Sequence, residues 1–401
     1  MKVLVINAGS SSLKYQLLEV ESKKVLAKGI CERIGTPQSF HKHGLDKSTI
    51  DNIELNDHTD AMKAVVDTLL AGPDSAISSL DEIEAVGHRT VQGGTEFSKS
   101  CLITKDVIDK IIEYAELAPL HNKASLMGIE ACQKLMPSVP MVGVFDTGYF
   151  NKLPKVAATY PLPYDLCKKY SIRRYGMHGT SHRYLTERAA VMLNKDIKDT
   201  SVITCHLGNG ASITASRAGR ALDTSMGLTP LDGIMMGTRC GCIDPAIVTF
   251  VMEHEGIDTT KMSDIMNKES GLLGVSGVSN DMRSVNEAAE SGNERARLAL
   301  DVYYYTIRKF IGQYYAVLNG DVDAIVMSAG IGENDNVCRE NVFKKLDGLG
   351  FKLDFEKNKI RSDEEREIST QDSKIKIFVI PTQEEYMIAR DTYEIVTGKK
   401  L

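Results

Sequence analysis

Two stretches of this chain follow one plan. "VLVINAGSSSLKYQLLEV" runs from Val3 to Val20, and "SVITCHLGNGASITASRAG" runs from Ser201 to Gly219. Each is an apolar strand, a turn of small residues, and a strand in which apolar and polar residues alternate. Asn7 and His206 end the first strands, and Gly9 and Gly208 each follow two positions later, although the second turn is one residue longer. A hairpin used twice predicts a duplicated α/β chain. Both turns are kept bare, so something is expected to lie against them.

The length agrees with duplication. At 401 residues the chain exceeds one ordinary core, and two domains are expected. Hydrophobic residues make up 42% and charged residues 25%, the balance of a soluble globular protein. No apolar run approaches the ~18 residues of a membrane span. Lys2 is followed by a short apolar run and then Asn7, which is not a signal peptide. A cytoplasmic location is the expectation. The eight cysteines are scattered, only Cys240 and Cys242 being close, and there is no CxxC pair, so neither zinc ligation nor a disulfide framework is expected. With a net charge of −6 and no basic stripe, nucleic acid is a poor partner. An acidic protein that binds an anion must do so with locally placed Arg, Lys and backbone N–H groups.

Helical spacing marks residues 60–70, 105–115 and 298–318, and buried strands begin at Ala85 and at Met141. The strand from Met141 ends at Asp146. A domain boundary is expected near Phe150–Pro154, where a buried strand gives way to a polar loop with a proline.

Three glycine turns follow apolar strands: "NAGSSS", "HLGNGAS" and "AGIGEN". Small residues there let backbone N–H groups approach an anion closely. There is no GxxxxGK[ST], so a P-loop has no support. "GNGASI" and "GIGEND" lack the third glycine of the dinucleotide fingerprint. One such turn alone reads as a plain hairpin; three, two of them on a duplicated plan, favour a nucleotide held between two halves.

With these motifs in order along the chain, the sequence resembles the acetate kinase family, within the superfamily of acetate and sugar kinases, heat-shock chaperones and actin. "NAGSSSLKY", "LAPLHN", "FDT", "YGMHGTSH", "HLGNG", "SNDMR", "AGIGEN" and "PTQEE" carry the resemblance, from Met1 to about Arg390. It implies an α/β fold of two actin-like (ribonuclease H-like) domains, each a five-stranded mixed sheet with flanking helices. They would span residues 1–150, joined by 385–401, and 151–384, with the nucleotide in the cleft between them. It implies Mg²⁺-dependent transfer of the ATP γ-phosphoryl group to acetate, and a homodimer.

The acceptor is a carboxylate. With a pKa near ~4.3 it is ionised at pH 7 and needs no general base. The difficulty is bringing two anions together, so positive groups are required. Arg89 and Arg239 offer planar forks for carboxylate or phosphoryl oxygens. By resemblance Arg89 binds the acyl carboxylate and Arg239 stabilises the transition state. His178 matches the histidine that donates to the transferring phosphoryl group. His178 and His182 are spaced as on one helix face, but the intervening glycine and missing glutamate remove the HExxH reading. His182 and His88 are expected to be structural. His121 and His206 fall in motifs near substrate and phosphates. Asp146, costly to bury alone, should hold a metal or an arginine; by resemblance the position is catalytic, and since the acceptor needs no base its expected role is to organise Mg²⁺ and the arginines. Asn7 and Glu384 match the magnesium positions; by itself Glu384, next to Glu385, reads as a solvated helix start. Lys14, Ser10 and Ser12 would serve the phosphates. The nucleotide segments are His206, Leu207, Gly208, Asn209 and Gly210; Asp281, Met282 and Arg283; and Gly330, Ile331, Gly332, Glu333 and Asn334.

Val91, Leu120, Met177 and Pro230 match the methyl pocket. The chain departs from the family there: Met177 stands where Phe is usual, Gln92 where His is, Lys123-Ala124 where Pro-Pro is, and Tyr149-Phe150 where an aromatic and His are. Met is more deformable than Phe, and one methylene is worth only ~1–3 kcal/mol of discrimination. Propionate or another short acid is therefore the alternative acceptor. An actin- or chaperone-like ATPase switch is the alternative of another class; it has no use for two cleft arginines. A degenerate copy is disfavoured because the charged and phosphate-binding positions are intact.

Overall fold

The structure, a computed structural model, describes residues 1–45, 47–72, 74–116 and 119–401; the side chains of residues 116 and 119–121 lie outside the description. The chain divides into two units, Met1–Asn151 with Gln383–Leu401, and Lys152–Thr382.

In the first unit, β1 (Lys2–Gly9) turns back onto β2 (Ser12–Glu19) through Ser10 and Ser11. The antiparallel run continues through β3 (Lys24–Glu32), β4 (Phe40–His43) and β5 (Thr49–Asn52). On its other side β1 pairs in parallel with β6 (Ala85–Thr90). A short β7 (Cys101–Leu102) runs antiparallel to β8 (Met141–Phe145), which is parallel to β6. The order is β5-β4-β3-β2-β1-β6-β8-β7.

Strand β1 is buried on both faces, which is why it reads as a continuous apolar run. Leu4 and Ile6 pack with Ala61, Val65 and Leu69 of the helix His58–Leu70. Asp57 starts that helix by accepting hydrogen bonds from the N–H groups of Thr59 and Asp60. Val3 and Val5 pack on the opposite face with Ile388 and Ala389 of the helix Glu384–Thr397. Each such side chain taken from water stabilises the unit by roughly 1.5–3 kcal/mol.

The second unit repeats the plan. β9 (Ser201–Leu207), β10 (Ala211–Arg217) and β11 (Arg220–Thr224) are antiparallel neighbours, and β9 pairs in parallel with β12 (Ala324–Ser328). β13 (Arg366–Glu367) lies antiparallel to β14 (Lys376–Val379), which is parallel to β12, and the order is β11-β10-β9-β12-β14-β13. The five-strand core β3-β2-β1-β6-β8 thus matches β11-β10-β9-β12-β14. β4, β5, β7 and β13 extend these cores beyond the expected five strands. Their sequences gave no signal: all four residues of β5, "TIDN", are exposed, so no apolar alternation marks them.

Three expected elements shift. The helix expected over 298–318 starts earlier, spanning Glu294–Val317, because the Asn293 side chain caps the N–H of Ala296. The helix expected over 105–115 spans Lys105–Glu113 and tightens into a 3₁₀ turn, Tyr114–Glu116. "AGIGEN" is a short helix, Ala329–Asn334, and not a turn, because the Glu333 carboxylate accepts the N–H of Ala329 at 2.7 Å. All eight cysteines are free. Among the described residues no helix is long and apolar enough to cross a membrane.

Candidate active site

The period of two along a strand builds the first unit's cluster. Val3 and Val5 face the helix Glu384–Thr397, so Asn7 does too. On β6, in register with β1, the same face carries Gly87 and then Arg89. On β8 it carries Val142 and Val144, and Asp146 follows. Asn7, Arg89 and Asp146 therefore lie together at the carboxyl ends of three parallel strands, where open α/β sheets bind ligands. Gly87 lets the covering helix seat: a Cβ there would meet Thr392 Oγ1 at 2.5 Å and Ile388 Cγ2 at 2.7 Å.

Arg89 Nε donates to Asp146 Oδ2 at 3.1 Å, its Nη2 donates to the same oxygen, and its Nη1 donates to Asn7 Oδ1 at 3.2 Å. Burial alone would lower the guanidinium, but the carboxylates of Asp146 and Glu384 outweigh it and hold it cationic. Lys14, the cross-strand partner of Asn7, ion-pairs with Glu385. Glu384 is not a solvated helix start. Burial, reinforced by the neighbouring carboxylates and opposed by Arg89, pushes its carboxyl up to about 7. Asp146 Oδ1 and Glu384 Oε1 are both buried without a hydrogen-bond partner. Two buried orphan carboxylate oxygens beside the Asn7 amide form the hard, oxygen-rich donor set that Mg²⁺ takes. On the β1–β2 turn, Ser10 is exposed and Ser12 half-buried.

The second unit builds its cluster at the equivalent strand end. Val202 faces the helix Gly179–Met192, so Thr204 and His206 do too, and Ser212 is the cross-strand partner of His206. His178 precedes that helix with φ 60°, left-handed backbone that costs a non-glycine residue energy and marks functional positions. Its ring stacks on that of His206 with centroids 4.1 Å apart. His178 Nδ1 lies 2.9 Å and His182 Nε2 2.7 Å from Ser212 Oγ. His182 Nδ1 lies 2.7 Å from Thr204 Oγ1, and burial holds this ring neutral, well below the usual histidine range. Ser181 Oγ bridges His206 Nδ1 at 2.8 Å and Thr382 Oγ1 at 2.9 Å.

Arg239 approaches the same point. A Cβ on Gly210 would stand 3.4 Å from Arg239 Nη1 and 3.7 Å from His178 Nε2. Among the described residues Arg239 has no carboxylate partner; its Nη1 reaches only Pro230 O at 3.4 Å and Met236 Sδ at 3.7 Å. Burial with no compensating acid lowers its guanidinium from the ordinary value. An arginine kept without a counter-ion is poised for an anion.

Beside this cluster, still within the second unit, a cavity of about 800 Å³ gathers three segments that are far apart in sequence. Gly208 and Asn209, Asp281 to Arg283, and Gly330, Ile331 and Asn334 line it. Asp281 accepts the N–H groups of Arg283 and Ser284 and pairs with the Arg283 side chain, which holds its carboxyl down at about 2. Not every residue of the expected segments reaches the cavity. His206 and Gly210 belong to the histidine–arginine cluster. Leu207 is fully buried, and Gly332 packs against it. Glu333 turns inward, accepting the N–H groups of Ala329 and Thr382. Glu385, Ser181, Thr204 and Ser212 went unread in the sequence; strand register places Thr204 and Ser212, and the first turn of the helix Gly179–Met192 places Ser181.

Of the methyl-pocket positions, Val91 belongs to the first unit and is buried. The side chains of Leu120 and His121 lie outside the described residues. Met177, buried, and Pro230, half-buried, belong to the second unit. Gln92 is pinned by its own turn: its N–H donates to Asn122 Oδ1 and its Oε1 accepts the N–H of Gly94, both at 3.0 Å. Phe150 and Ala124 are fully buried, whereas Lys123 is exposed.

A mixed sheet built twice with one strand order, its polar groups gathered at the carboxyl ends of the parallel strands, is the architecture of the actin-like phosphotransferases. The sequence model of the Acetokinase family matches residues 2–390, and the chain belongs to that family. It is 54% identical to the acetate kinase of Methanosarcina thermophila over 402 residues, 99% of this chain and 97% of that protein. The acetate kinase of Halothermothrix orenii is 52% identical over 398 residues, 99% of this chain and all of that protein. Among solved structures, Porphyromonas gingivalis acetate kinase superposes with a TM-score of 0.94 at 47% identity, covering 98% of this chain and 99% of that one. A propionate kinase from Francisella tularensis superposes with a TM-score of 0.92 at 41% identity, with the same coverage.

Proposed function

We propose that this protein transfers the γ-phosphoryl group of ATP to acetate, reversibly and in line, giving ADP and acetyl phosphate. The observation that carries this reading is Arg239, half-buried beside His178 with no acid among the described residues to neutralise it. In this reading it meets the negative charge that spreads over the phosphoryl oxygens in the transition state. His178 donates to the same oxygens, with Ser212 fixing its ring. Arg89 takes the acetate carboxylate with the edge of its guanidinium left open by Asp146, the side chain being 22% exposed. Asp146 holds Arg89 and abstracts no proton, because the acceptor is already ionised. The second unit's cavity takes the nucleoside, and Lys14, Ser10 and Ser12 take the phosphates. Asp146, Glu384 and Asn7 would hold Mg²⁺, which would offset the negative charge of the phosphates. A cytoplasmic homodimer is part of the same proposal, and sedimentation equilibrium checks the assembly.

Trapping the product with hydroxylamine tests the activity: ATP- and acetate-dependent hydroxamate is expected. Its absence with every short acid would sink the reading. Propionate is a second acceptor reading, favoured by the buried Met177 and by likeness to the Francisella propionate kinase.

A further inference from the structure

The outer edge of the first unit's sheet carries a second group of ionisable side chains that the phosphoryl-transfer reading leaves unused. His41 and His43 alternate along β4 and share a face, with ring centroids 4.7 Å apart. Asp51 on β5 is the direct cross-strand partner of His41. One ligand atom from each of His41, His43 and Asp51 lies within 4.8 Å of the other two. Both histidines are buried, His41 at 1% and His43 at 7% exposure, while the Asp51 side chain is 49% exposed and opens the group to solvent.

A fourth residue fixes the orientation. Asp74 Oδ2 lies 2.7 Å from His43 Nδ1, and Asp51 Oδ2 lies 2.9 Å from His43 Nε2. A carboxylate on Nδ1 holds that nitrogen as N–H and turns Nε2 toward Asp51, the carboxylate–histidine arrangement that orients metal-binding imidazoles. The Tyr15 hydroxyl lies 3.2 Å from His41 Nε2 and Thr68 Oγ1 lies 3.5 Å from its Nδ1, contacts that hold the ring beside His43 and that a bound metal would displace at one nitrogen. A cavity of about 550 Å³ bordered by His43, Asp74 and Thr49 supplies an approach.

We propose that His41, His43 and Asp51 form a binding site for a zinc-class divalent cation, with Asp74 as the residue that positions His43. Two imidazoles and one carboxylate suit borderline transition metals better than Mg²⁺, which prefers oxygen alone. Three protein ligands leave a fourth position for solvent. The site ties β4 to β5 at the sheet edge, so its role is structural or regulatory and not catalytic. Metal entry replaces the proton that otherwise sits between His43 and Asp51.

The test uses the full-length protein stripped with a chelator and held in excess Mg²⁺, so that the phosphate-site cation is not the one measured. Co²⁺ is titrated alone and followed by its visible absorption, and Zn²⁺ is then added in competition. One equivalent of tetrahedral Co²⁺, displaced by Zn²⁺, is expected. Asp51→Asn, on a half-exposed side chain, should fold normally and lose at least ~10-fold in affinity; Asp74→Asn should lose about 10- to 100-fold. His43→Gln should remove the signal. The proposal is overturned if the wild-type protein takes up neither metal. It is equally overturned if Asp51→Asn and His43→Gln, folded by circular dichroism, bind as tightly as wild type.

Discussion

The hydroxyl of Ser212 lies 2.9 Å from Nδ1 of His178. The same oxygen lies 2.7 Å from Nε2 of His182. A hydroxyl has one proton, so it donates to one imidazole and accepts from the other. His182 is buried and neutral. If His182 Nε2–H donates to Ser212, Ser212 donates to His178 Nδ1, and the neutral His178 carries its proton on Nε2, on the Gly210 side, where it can donate to the phosphoryl group. Ser212→Ala is therefore expected to lower kcat by at least ~10-fold with little change in KM for ATP. It should also leave His182 Nε2 unsatisfied and destabilise the fold by about 1–3 kcal/mol. Steady-state kinetics and urea unfolding measure the two effects. A stability loss with unchanged kcat would make Ser212 structural only.

Arg239→Ala should lower kcat by about 10²–10³, the cost of losing one preorganised donor to transition-state charge. Arg239→Lys should recover little of it, since an ammonium lacks the planar fork. Both effects should fall on kcat more than on KM. Equal activity of the lysine variant would argue against bidentate recognition.

Breaking the Arg89–Asp146 pair should cost stability as well as activity. Asp146 is 1% exposed, so Asp146→Asn leaves Arg89 without its carboxylate in a partly buried place. Loss of about 3 kcal/mol in chemical unfolding is expected, together with weaker Mg²⁺ activation. A neutral effect on both would remove Asp146 from the organising role.

His88 gives a pH dependence with a defined sign. Its ring is 1% exposed, and burial lowers it to about 3. The unfolded chain therefore binds more protons than the folded one between about 6.5 and 3. Stability should fall as pH drops through that window, by up to roughly 1.4 kcal/mol per pH unit from this group. Unfolding midpoints of wild type and His88→Leu at pH 7 and pH 4.5 check it; the variant should show the shallower loss.

For the acceptor, kcat/KM for propionate is expected within ~10-fold of that for acetate. Met177→Phe should raise the acetate-to-propionate ratio, since a rigid ring replaces a deformable side chain. Kinetics on formate, acetate, propionate and butyrate decide, and a steep preference for acetate in the wild type would count against it.

The sequence was most legible where physics acts locally. The repeated hairpin predicted the repeated sheet, because burial on both faces of β1 and β9 writes itself as an apolar run. Glycine turns marked Gly208 and Gly330, and the cavity does form beside them. What stayed hidden depends on register. Nothing in "ASITASR" says that Ser212 stands opposite His206. Nor does "TQEEY" say that Glu384 lies over Arg89 and Asp146. Those neighbours are made by pairing across strands and by a helix that arrives from the far end of the chain. The β4–β5 edge was missed for a related reason: each strand has four residues and a single apolar one, Phe40 or Ile50, so alternation carries no hydrophobic signal.

That returning helix has a consequence for how the protein is made. Glu384–Thr397 belongs to the unit of residues 1–151, yet the ribosome delivers it only after the whole of residues 152–382. Until then the face bearing Val3, Val5, Asn7, Arg89 and Asp146 has no cover, and one of its buried carboxylates does not exist. A chain that stops at Thr382 holds every residue of the second unit but not of the first. The final carboxylate of the site and the helix that completes the first unit's core therefore emerge together, and a chain cut short before Glu384 lacks both.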